Sequence, residues 1–392
     1  MSSIPTFIDI SETEQVLPLN PSLTPLTPAS ALQCEELREY LSSLGAAIAD
    51  SEGFVPDLRE IISVCDVVLR DDVKDADVEA VLNSIVSLLI GSVPPPESLS
   101  LVVAFCDQML KAKQKQALVC VRVLKNLFGG LQDVTEPRFR VYVTLVRLAS
   151  ISGQIALVFS DLALIKQWFP PAVVGVERVQ ALLRLLHEAL VAQKQSESAS
   201  RVLIELLSTY TEENASQARD DAHRCIVWHL GDKNTFLLDH LLALKPVKFL
   251  EGEPIHDLLT IFVAEKLAAY VKFYNNGRDF VESLGLSHEQ NLQKMRLLTF
   301  MQIAEQKKEI PFDAIQQELQ LNVDQVEAFV IDGKFLRTRL VKAKVDQLTK
   351  RVLVSSTMHR TFGRQQWQQL RDTLHKWSTN LAHVQNTVQT VA

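Results

Sequence analysis

The chain has 392 residues, of which 47% are hydrophobic and 22% are charged, and its formal net charge is -7. This length and composition predict a folded, soluble protein with one large core or two to three structural units. No apolar run reaches about 18 residues, and no cationic stretch precedes an apolar core at the start. Both observations argue against a membrane-spanning helix or a secretory leader, so we expect a cytoplasmic protein that makes no membrane contact.

The charge is distributed unevenly along the chain. From Gly333 to the C-terminus, eleven Lys and Arg residues stand against only Asp346 and Asp372, which gives this part a net charge of +9 and residues 1–332 a net charge of -16. An acidic body joined to a basic end predicts two different kinds of neighbour.

Residues 1–30 form a predicted N-terminal segment with a proline-rich linker. After a short apolar stretch at residues 4–10, residues 17–30 contain four prolines among Ser, Thr and Asn. Proline lacks a backbone donor and fixes φ, so this spacing favours an extended, solvated chain over a helix.

Helical periodicity begins near Leu32 and continues to about residue 286. Apolar stripes at steps of three and four recur in segments of about three to four turns, with breaks marked by glycine and proline. Serial helices with short breaks pack as antiparallel pairs. The sequence therefore predicts a mainly α fold in which residues 31–286 form a right-handed helical-repeat (TPR/HEAT-like) solenoid. One long helix is expected over residues 255–274.

The pattern changes within residues 287–358, where we predict a winged-helix unit with a small β-hairpin. The alternation after residue 340 is typical of strands, whereas the preceding segments have helical spacing. The predicted elements, in order, are a helix through Met295, an extended piece at 310–312, helices at 313–319 and 323–331, and strands at 341–346 and 351–354. Three helices followed by a hairpin is the order of a winged helix.

The third helix of this unit does not suit nucleic acid. A helix that enters a groove needs cations for phosphate and Arg, Lys, Asn or Gln for base edges. This helix presents Asp324, Glu327 and Asp332 against Lys334 alone. Because these carboxylates would repel a duplex, we interpret the unit as a protein-docking module. Gly333-Lys334-Phe335 interrupts the expected run of this helix into the wing.

The hairpin offers two candidate surfaces. Two strands alone are marginally stable and leave an edge unpaired, so we predict that the hairpin adds its edge to a partner's sheet; the alternative is a hairpin protected by the chain's own helices. Its basic residues either form a solvated face or contact acidic partners or ribosomal RNA. The interface candidates are Val341, Ala343, Val345, Val352 and Val354, and the basic-face candidates are Lys342, Lys344, Arg351 and Arg360.

Residues 359–392 are predicted to contain a C-terminal helix over 365–388. Its apolar residues follow one another at steps of three and four, the seam of a coiled-coil or bundle helix. The alternatives are a helix that folds back on the winged helix and one that packs with partner helices. The residues of this seam are Trp367, Leu370, Leu374, Trp377, Leu381, Val384 and Val388.

No catalytic or metal-binding pattern is complete. His187-Glu188 and His288-Glu289 begin an H-E-x-x-H motif, but Val191 and Leu292 occupy the positions of the second histidine. The five cysteines include no C-x-x-C pair, and their apolar helical surroundings predict small core residues. We expect no enzymatic activity, no metal and no cofactor.

A helical solenoid followed by a winged helix resembles the PCI domain, which is shared by the proteasome lid, the signalosome and eukaryotic translation initiation factor three. A closer resemblance, to the subunit m family of that factor, rests on stretches that span nearly the whole chain. These stretches are Phe7-Ile8-Asp9-Ile10, residues 210–219, 244–252, 255–259 and 294–301, and His359-Arg360-Thr361-Phe362-Gly363. The resemblance implies a PCI domain over about residues 180–358, sheets continued side by side between subunits, and C-terminal helices gathered into one bundle.

Three functions follow as hypotheses. The first is a non-catalytic scaffold subunit of the initiation factor, which joins other PCI-type subunits and supports recruitment of messenger RNA to the small ribosomal subunit. The second is a signalosome or proteasome-lid subunit with the same architecture. The third is an RNA-binding winged helix, which would need aromatic residues among its cations; Phe335 and Phe362 are too few for a stacking platform.

Overall fold

The computed structural model describes residues 28–49, 53–70, 73–132, 134–211, 214, 218–331 and 340–391. The chain divides into two compact units, Met1–Leu206 and Leu207–Ala392. Several predictions therefore lie outside the described residues: the apolar lead, most of the proline-rich linker, and the interruption at Gly333-Lys334-Phe335. The side chains of Val323 and Asp324 also lie outside them.

The first unit is built from helices whose apolar stripes form its core. A proline occupies the first helical position of the first helix, where a missing backbone donor costs nothing, so residues 28–30 are helical and not part of the predicted linker. The helices are α1 (Pro28–Ser43), α2 (Phe54–Val64), α3 (Asp75–Gly91), α4 (Pro95–Met109), α5 (Gln114–Gly130), α6 (Thr135–Ser152), α7 (Leu162–Trp168), α8 (Pro171–Val174), α9 (Val176–Ala192) and α10 (Ser196–Ser208), with 3-10 turns at Cys65–Val68 and Ile155–Leu157.

These helices pack in two rows. In one row α1 contacts α3 and α3 contacts α5; in the other α2 contacts α4, α4 contacts α6 and α6 contacts α9. Successive helices, such as α5 and α6, pair across the rows. Contact between every second helix is the packing of a helical-repeat solenoid, which confirms the predicted architecture for this unit.

The cysteines behave as the sequence predicts. All five are free and buried, four of them in this unit. Burial raises the pKa of the Cys34 thiol to about 11 and that of the Cys106 thiol to about 12. Thiols in such surroundings stay protonated and act as small apolar residues.

The second unit, Leu207–Ala392, contains further helices and one sheet. Its helices are α11 (Arg219–Gly231), α12 (Asp239–Leu242), α13 (Lys245–Lys248), α14 (Pro254–Ala264), α15 (Leu267–Asn276), α16 (Arg278–Ser283), α17 (His288–Gln306), α18 (Phe312–Leu319), α19 (Val323–Ile331) and α20 (Arg364–Val391); its strands are β1 (Glu309–Pro311), β2 (Val341–Asp346) and β3 (Arg351–Thr357). No helix among the described residues is both long enough and apolar enough to cross a membrane.

The prediction of one long helix over residues 255–274 is wrong. It is broken into α14 and α15 by Glu265 and Lys266, whose backbones are extended. A tertiary hydrogen bond stabilises the break, because the amide of Leu267 donates to Oγ1 of buried Thr299 at 2.9 Å. Apolar periodicity continues through the break, so the sequence pattern did not reveal it.

The predicted winged helix is confirmed, with its elements in the predicted order from α17 to β3. The extended piece before α18 is a third strand, β1, so the hairpin is part of a three-stranded antiparallel sheet in the order β1-β3-β2. Val352 of β3 lies opposite Ile310 of β1 and Val345 of β2. Strand β3 is therefore the centre of the sheet, and β2 is an edge.

Candidate functional site

The segment between the sheet and α20 is tied to the rest of the second unit by the buried residue Arg360. Arg360 is only 5% exposed, and its Nη2 donates to the carbonyl oxygens of Ile261 at 3.0 Å and Phe262 at 2.8 Å. These carbonyls lie in the last turn of α14, where a cation is favourable. The carbonyl of Ile261 also accepts from the amide of Glu265 at 3.1 Å. Burial lowers the pKa of Arg360 to about 10, so the guanidinium stays charged at neutral pH.

The burial of Arg360 contradicts the prediction that it lies on an exposed basic face. Arg360 was assigned to an exposed basic face, but it is buried and bonded to the end of α14. The prediction rested on the position of Arg360 in the basic C-terminal part of the chain. Its local sequence gives no sign of the carbonyls to which it donates, about one hundred residues earlier in the chain. Arg360 therefore holds the anchor and is not a surface cation.

The residues around Arg360 fix the first turn of α20. Nδ1 of His359 lies 2.6 Å from Oε1 of Glu305, and the amide of Phe362 donates to Oδ2 of Asp239 at 3.2 Å. The ring of Phe362 packs edge-on against Trp367 with centroids 4.9 Å apart. We call residues 359–363 the anchor; it joins the start of α20 to α14, α17 and the residues around α12.

The predicted seam of α20 lies on the surface. The helix has 28 residues, or about 42 Å, and none of its seven seam residues is buried by the described part of the chain. The exposed fractions are Trp367 61%, Leu370 40%, Leu374 51%, Trp377 62%, Leu381 69%, Val384 59% and Val388 61%. Two tryptophans and five aliphatic residues in one exposed stripe far exceed the scattered apolar residues of an ordinary surface.

The predicted strand residues divide into two groups. The side chains of Val341, Val352 and Val354 are 2%, 0% and 9% exposed, so they belong to the unit's own core and are inaccessible to a partner. Their assignment to a partner interface is wrong at the level of side chains, because they point from the sheet toward the helices. Ala343 and Val345, on the edge strand β2, are only half-buried and remain accessible.

Three of the four predicted basic residues share the outer face of the sheet. Lys342, Lys344 and Arg351 are exposed, and Leu353 lies among them with 38% of its surface exposed. Arg351 pairs with Glu309 of the neighbouring strand at 3.1 Å. Within the described residues, Lys342 and Lys344 make no ion pair, so two cations of the edge strand are uncompensated.

Sequence reasoning missed a second buried cation. Nζ of Lys294, on α17, donates to the carbonyl oxygens of His229 at 2.8 Å, Leu230 at 3.3 Å and Asp232 at 3.0 Å. Burial lowers the pKa of Lys294 to about 7. This lysine caps the C-terminal end of α11 and ties it to the winged helix. Its one signal in the sequence is a lysine directly before the apolar stretch that begins at Met295.

Known sequences match both parts of this site. A model of the PCI domain matches residues 271–356, and a model described as the C-terminal helix of eIF3 subunit M matches residues 360–388, from Arg360 through the seam. Eukaryotic translation initiation factor 3 subunit M of Homo sapiens is 50% identical over 390 residues, covering 98% of each chain. The protein of that name from Gallus gallus is 49% identical over 98% of each chain. The one from Danio rerio is 49% identical over 100% of this chain and 99% of its own. With a PCI domain, an anchored helix with an exposed seam, and identity along nearly its whole length, the chain belongs to the family of eukaryotic translation initiation factor 3 subunit M.

Proposed function

We propose that the chain is a non-catalytic, cytoplasmic scaffold subunit of eukaryotic translation initiation factor 3. In this role it joins neighbouring PCI-type subunits and supports recruitment of messenger RNA to the small ribosomal subunit. The observation that carries the proposal is the exposed seam of α20, which follows the anchor and is covered by nothing in the described residues. The names of its relatives favour this complex over the signalosome or the proteasome lid.

The seam suits a helix bundle. Each large apolar side chain that leaves water contributes about 1.5–3 kcal/mol before ordering costs, and the seam offers seven. Its spacing of three and four is that of knobs packing into a neighbouring helix. Trp367 and Trp377 occupy the first half of the helix, and tryptophan is enriched among residues that dominate interface energies. We expect partner helices to bury both rings.

The edge strand supplies a second surface. Strand β2 pairs only with β3 among the described residues, so its other side can accept a strand from a partner. The uncompensated Lys342 and Lys344 on this strand suit acidic partner surfaces or ribosomal RNA, whereas Arg351 already pairs with Glu309. A scaffold that uses a helix and a sheet edge touches two neighbours at once.

Purification of the native complex tests this function. A tagged copy of the full chain is expressed in place of the endogenous one, and its partners are identified by mass spectrometry. The proposal predicts recovery of the other initiation factor subunits and co-sedimentation with small ribosomal subunits in a gradient. A matched control carries Lys233→Glu, an exposed change on a loop outside both surfaces. Recovery of signalosome or lid subunits instead would contradict the proposal.

A further inference from the structure

Helix α5 of the first unit exposes a basic stripe in an acidic part of the chain. Residues 108–132 contain five Lys and Arg residues and no Asp or Glu, whereas residues 1–332 as a whole have a net charge of -16. Four residues of α5 that follow one another at steps of three and four are exposed, and they share one face of the helix. We call them the α5 stripe; they are Lys115, Leu118, Arg122 and Lys125.

The charges of the stripe are only partly compensated. Arg122 pairs with Glu79 of α3 at 2.9 Å, whereas Lys115 and Lys125 make no ion pair within the described residues. Leu118 lies between the two lysines and has 38% of its surface exposed. Two uncompensated cations beside an exposed leucine suit a protein segment that carries both carboxylates and apolar side chains.

RNA suits the stripe less well than such a segment. A nucleic acid is wider than one helix, so it would also meet the carboxylates of Asp75 and Glu79 on neighbouring α3, which repel phosphate. The stripe contains no aromatic residue on which a base could stack.

The contacts between α3 and α5 fix the direction of the stripe. Glu79 of α3 pairs with Arg122 of α5, and Asn83 of α3 accepts from Asn126 of α5 at 3.1 Å. Because both partners advance by four residues from the first contact to the second, the two helices run in the same direction.

Helix α1 begins level with the middle of the stripe. Nε2 of Gln33 on α1 donates to Oγ of Ser84 on α3 at 3.2 Å, and alternate helices of a solenoid run in the same direction. With the same rise per residue in each helix, Pro28 at the start of α1 is therefore level with Arg122. Two interhelical spacings separate them, or about 16–20 Å.

The chain's own N-terminal residues have the matching chemistry. Residues 1–27 contain no Lys or Arg and three carboxylates, which are those of Asp9, Glu12 and Glu14. These carboxylates overlap or follow the apolar stretch at residues 4–10. Residues 18–27 are uncharged, and ten residues can span up to about 33 Å, which exceeds the distance from Pro28 to the stripe.

We propose that residues 4–14 of this chain dock on the α5 stripe, with their carboxylates against Lys115 and Lys125 and an apolar side chain against Leu118. This contact lies within the first unit and goes beyond the proposed function. A short tether gives an effective concentration on the order of 1 mM, so a contact that is weak between separate molecules is occupied within one chain. The docked segment covers both uncompensated cations and closes the stripe to RNA and to acidic proteins.

Zero-length cross-linking of the purified full-length chain tests the inference. A carbodiimide joins an amine to a carboxylate that touches it, and we expect links from Lys115 or Lys125 to Asp9, Glu12 or Glu14. In an equal mixture of 15N-labelled and unlabelled chain, each link should join peptides of the same isotope. If half of the links joined unlike isotopes, a second copy would be the occupant and the inference would be overturned. No links at these positions, or links from the stripe to another subunit or to RNA in the native complex, would also overturn it.

An exchange of charges tests the electrostatic part of the contact. Lys115→Glu and Lys125→Glu, combined with Asp9→Lys, Glu12→Lys and Glu14→Lys, should restore the links with amine and carboxylate exchanged. The matched control combines the same N-terminal changes with Arg147→Glu and Lys194→Glu, which are exposed residues of other helices and loops, and should give no links to positions 147 and 194. Links that form equally at the stripe and at the control positions would refute specific docking.

A second pair of variants tests the apolar part. Leu118→Ala should reduce the yield of the links about threefold, because it removes the apolar contact between the two lysines. Leu99→Ala changes a leucine of α4 that is 36% exposed, and it should leave the yield unchanged. Equal yields from both variants would show that Leu118 takes no part in the contact and would contradict the proposed docking.

Discussion

The contacts of Arg360 predict that Arg360→Met destabilises the isolated chain. This result would not be expected of an exposed cation in a basic C-terminal region. The change removes a guanidinium that donates to Ile261 and Phe262 and is only 5% exposed. Methionine keeps the apolar stem, so the loss is confined to the charged hydrogen bonds. The carbonyl of Phe262 then loses its donor, whereas that of Ile261 still accepts from the amide of Glu265.

The expected magnitude follows from the carbonyl of Phe262. A buried acceptor left unsatisfied costs about 1–3 kcal/mol, and removal of a buried charge returns part of this by sparing its desolvation. We therefore expect the free energy of unfolding to fall by about 1–2 kcal/mol. For a unit of this size, that corresponds to a decrease in Tm of roughly 2–8 °C.

Urea unfolding followed by circular dichroism measures this loss in the full chain. Arg364→Met is the matched control, because Arg364 begins α20, is exposed and loses the same charge. Hydrogen exchange adds a local readout, since amides near residues 261–267 and 359–363 should exchange faster in the Arg360 variant alone. If both variants unfolded like the unmodified chain, Arg360 would be a surface cation after all, and the anchor would be refuted.

Further predictions concern the core of the second unit. Val352→Ala, on the central strand, should cost about 1–3 kcal/mol in urea unfolding, while Leu353→Ala on the outer face should cost less than about 0.5; equal losses would contradict the sheet order. Burial lowers the pKa of His229 from 6.5 to about 4, so between these pH values the unfolded state is protonated while the folded state is not. The free energy of unfolding should therefore fall by up to about 3 kcal/mol as the pH drops from 6.5 to about 4. His229→Gln should flatten that decline, and an unchanged slope would refute it. Lys294→Met should cost about 2 kcal/mol by leaving three carbonyls of the α11 end region without their donor, and Lys272→Met, an exposed change, should cost almost nothing.

The fold was largely predictable because it follows local periodicity. Apolar steps of three and four identified the solenoid, the change to strict alternation identified β2, and a β-branched, apolar run identified β3. The extended piece before α18 was also found, although its place as a third strand was not. Pairing between β1 and β3 joins residues about forty positions apart, which no local pattern specifies.

The exposed seam of α20 was predictable from the sequence, whereas the buried contacts of the site were not. The apolar residues of the α20 seam recur at every step of three or four. This spacing can be read from the sequence whether or not a partner covers the seam. Arg360 and Lys294 could not be assigned, because each cation is buried by carbonyls at the end of a distant helix. The break between α14 and α15 has a similar cause, because Oγ1 of Thr299 accepts from the amide of Leu267 in place of a carbonyl of a continuous helix.

We propose that α20 serves assembly and contributes little to the chain's own core. The most direct measurement compares the full-length chain with Trp367→Ala plus Trp377→Ala, and with a chain that ends at Gly363, by thermal unfolding and by native mass spectrometry of the reconstituted complex. Because both rings are about 60% exposed, we expect the isolated variants to melt within about 2 °C of the unmodified chain and to fail to enter the complex. An isolated variant that melts much earlier, or a variant that assembles fully, would contradict it.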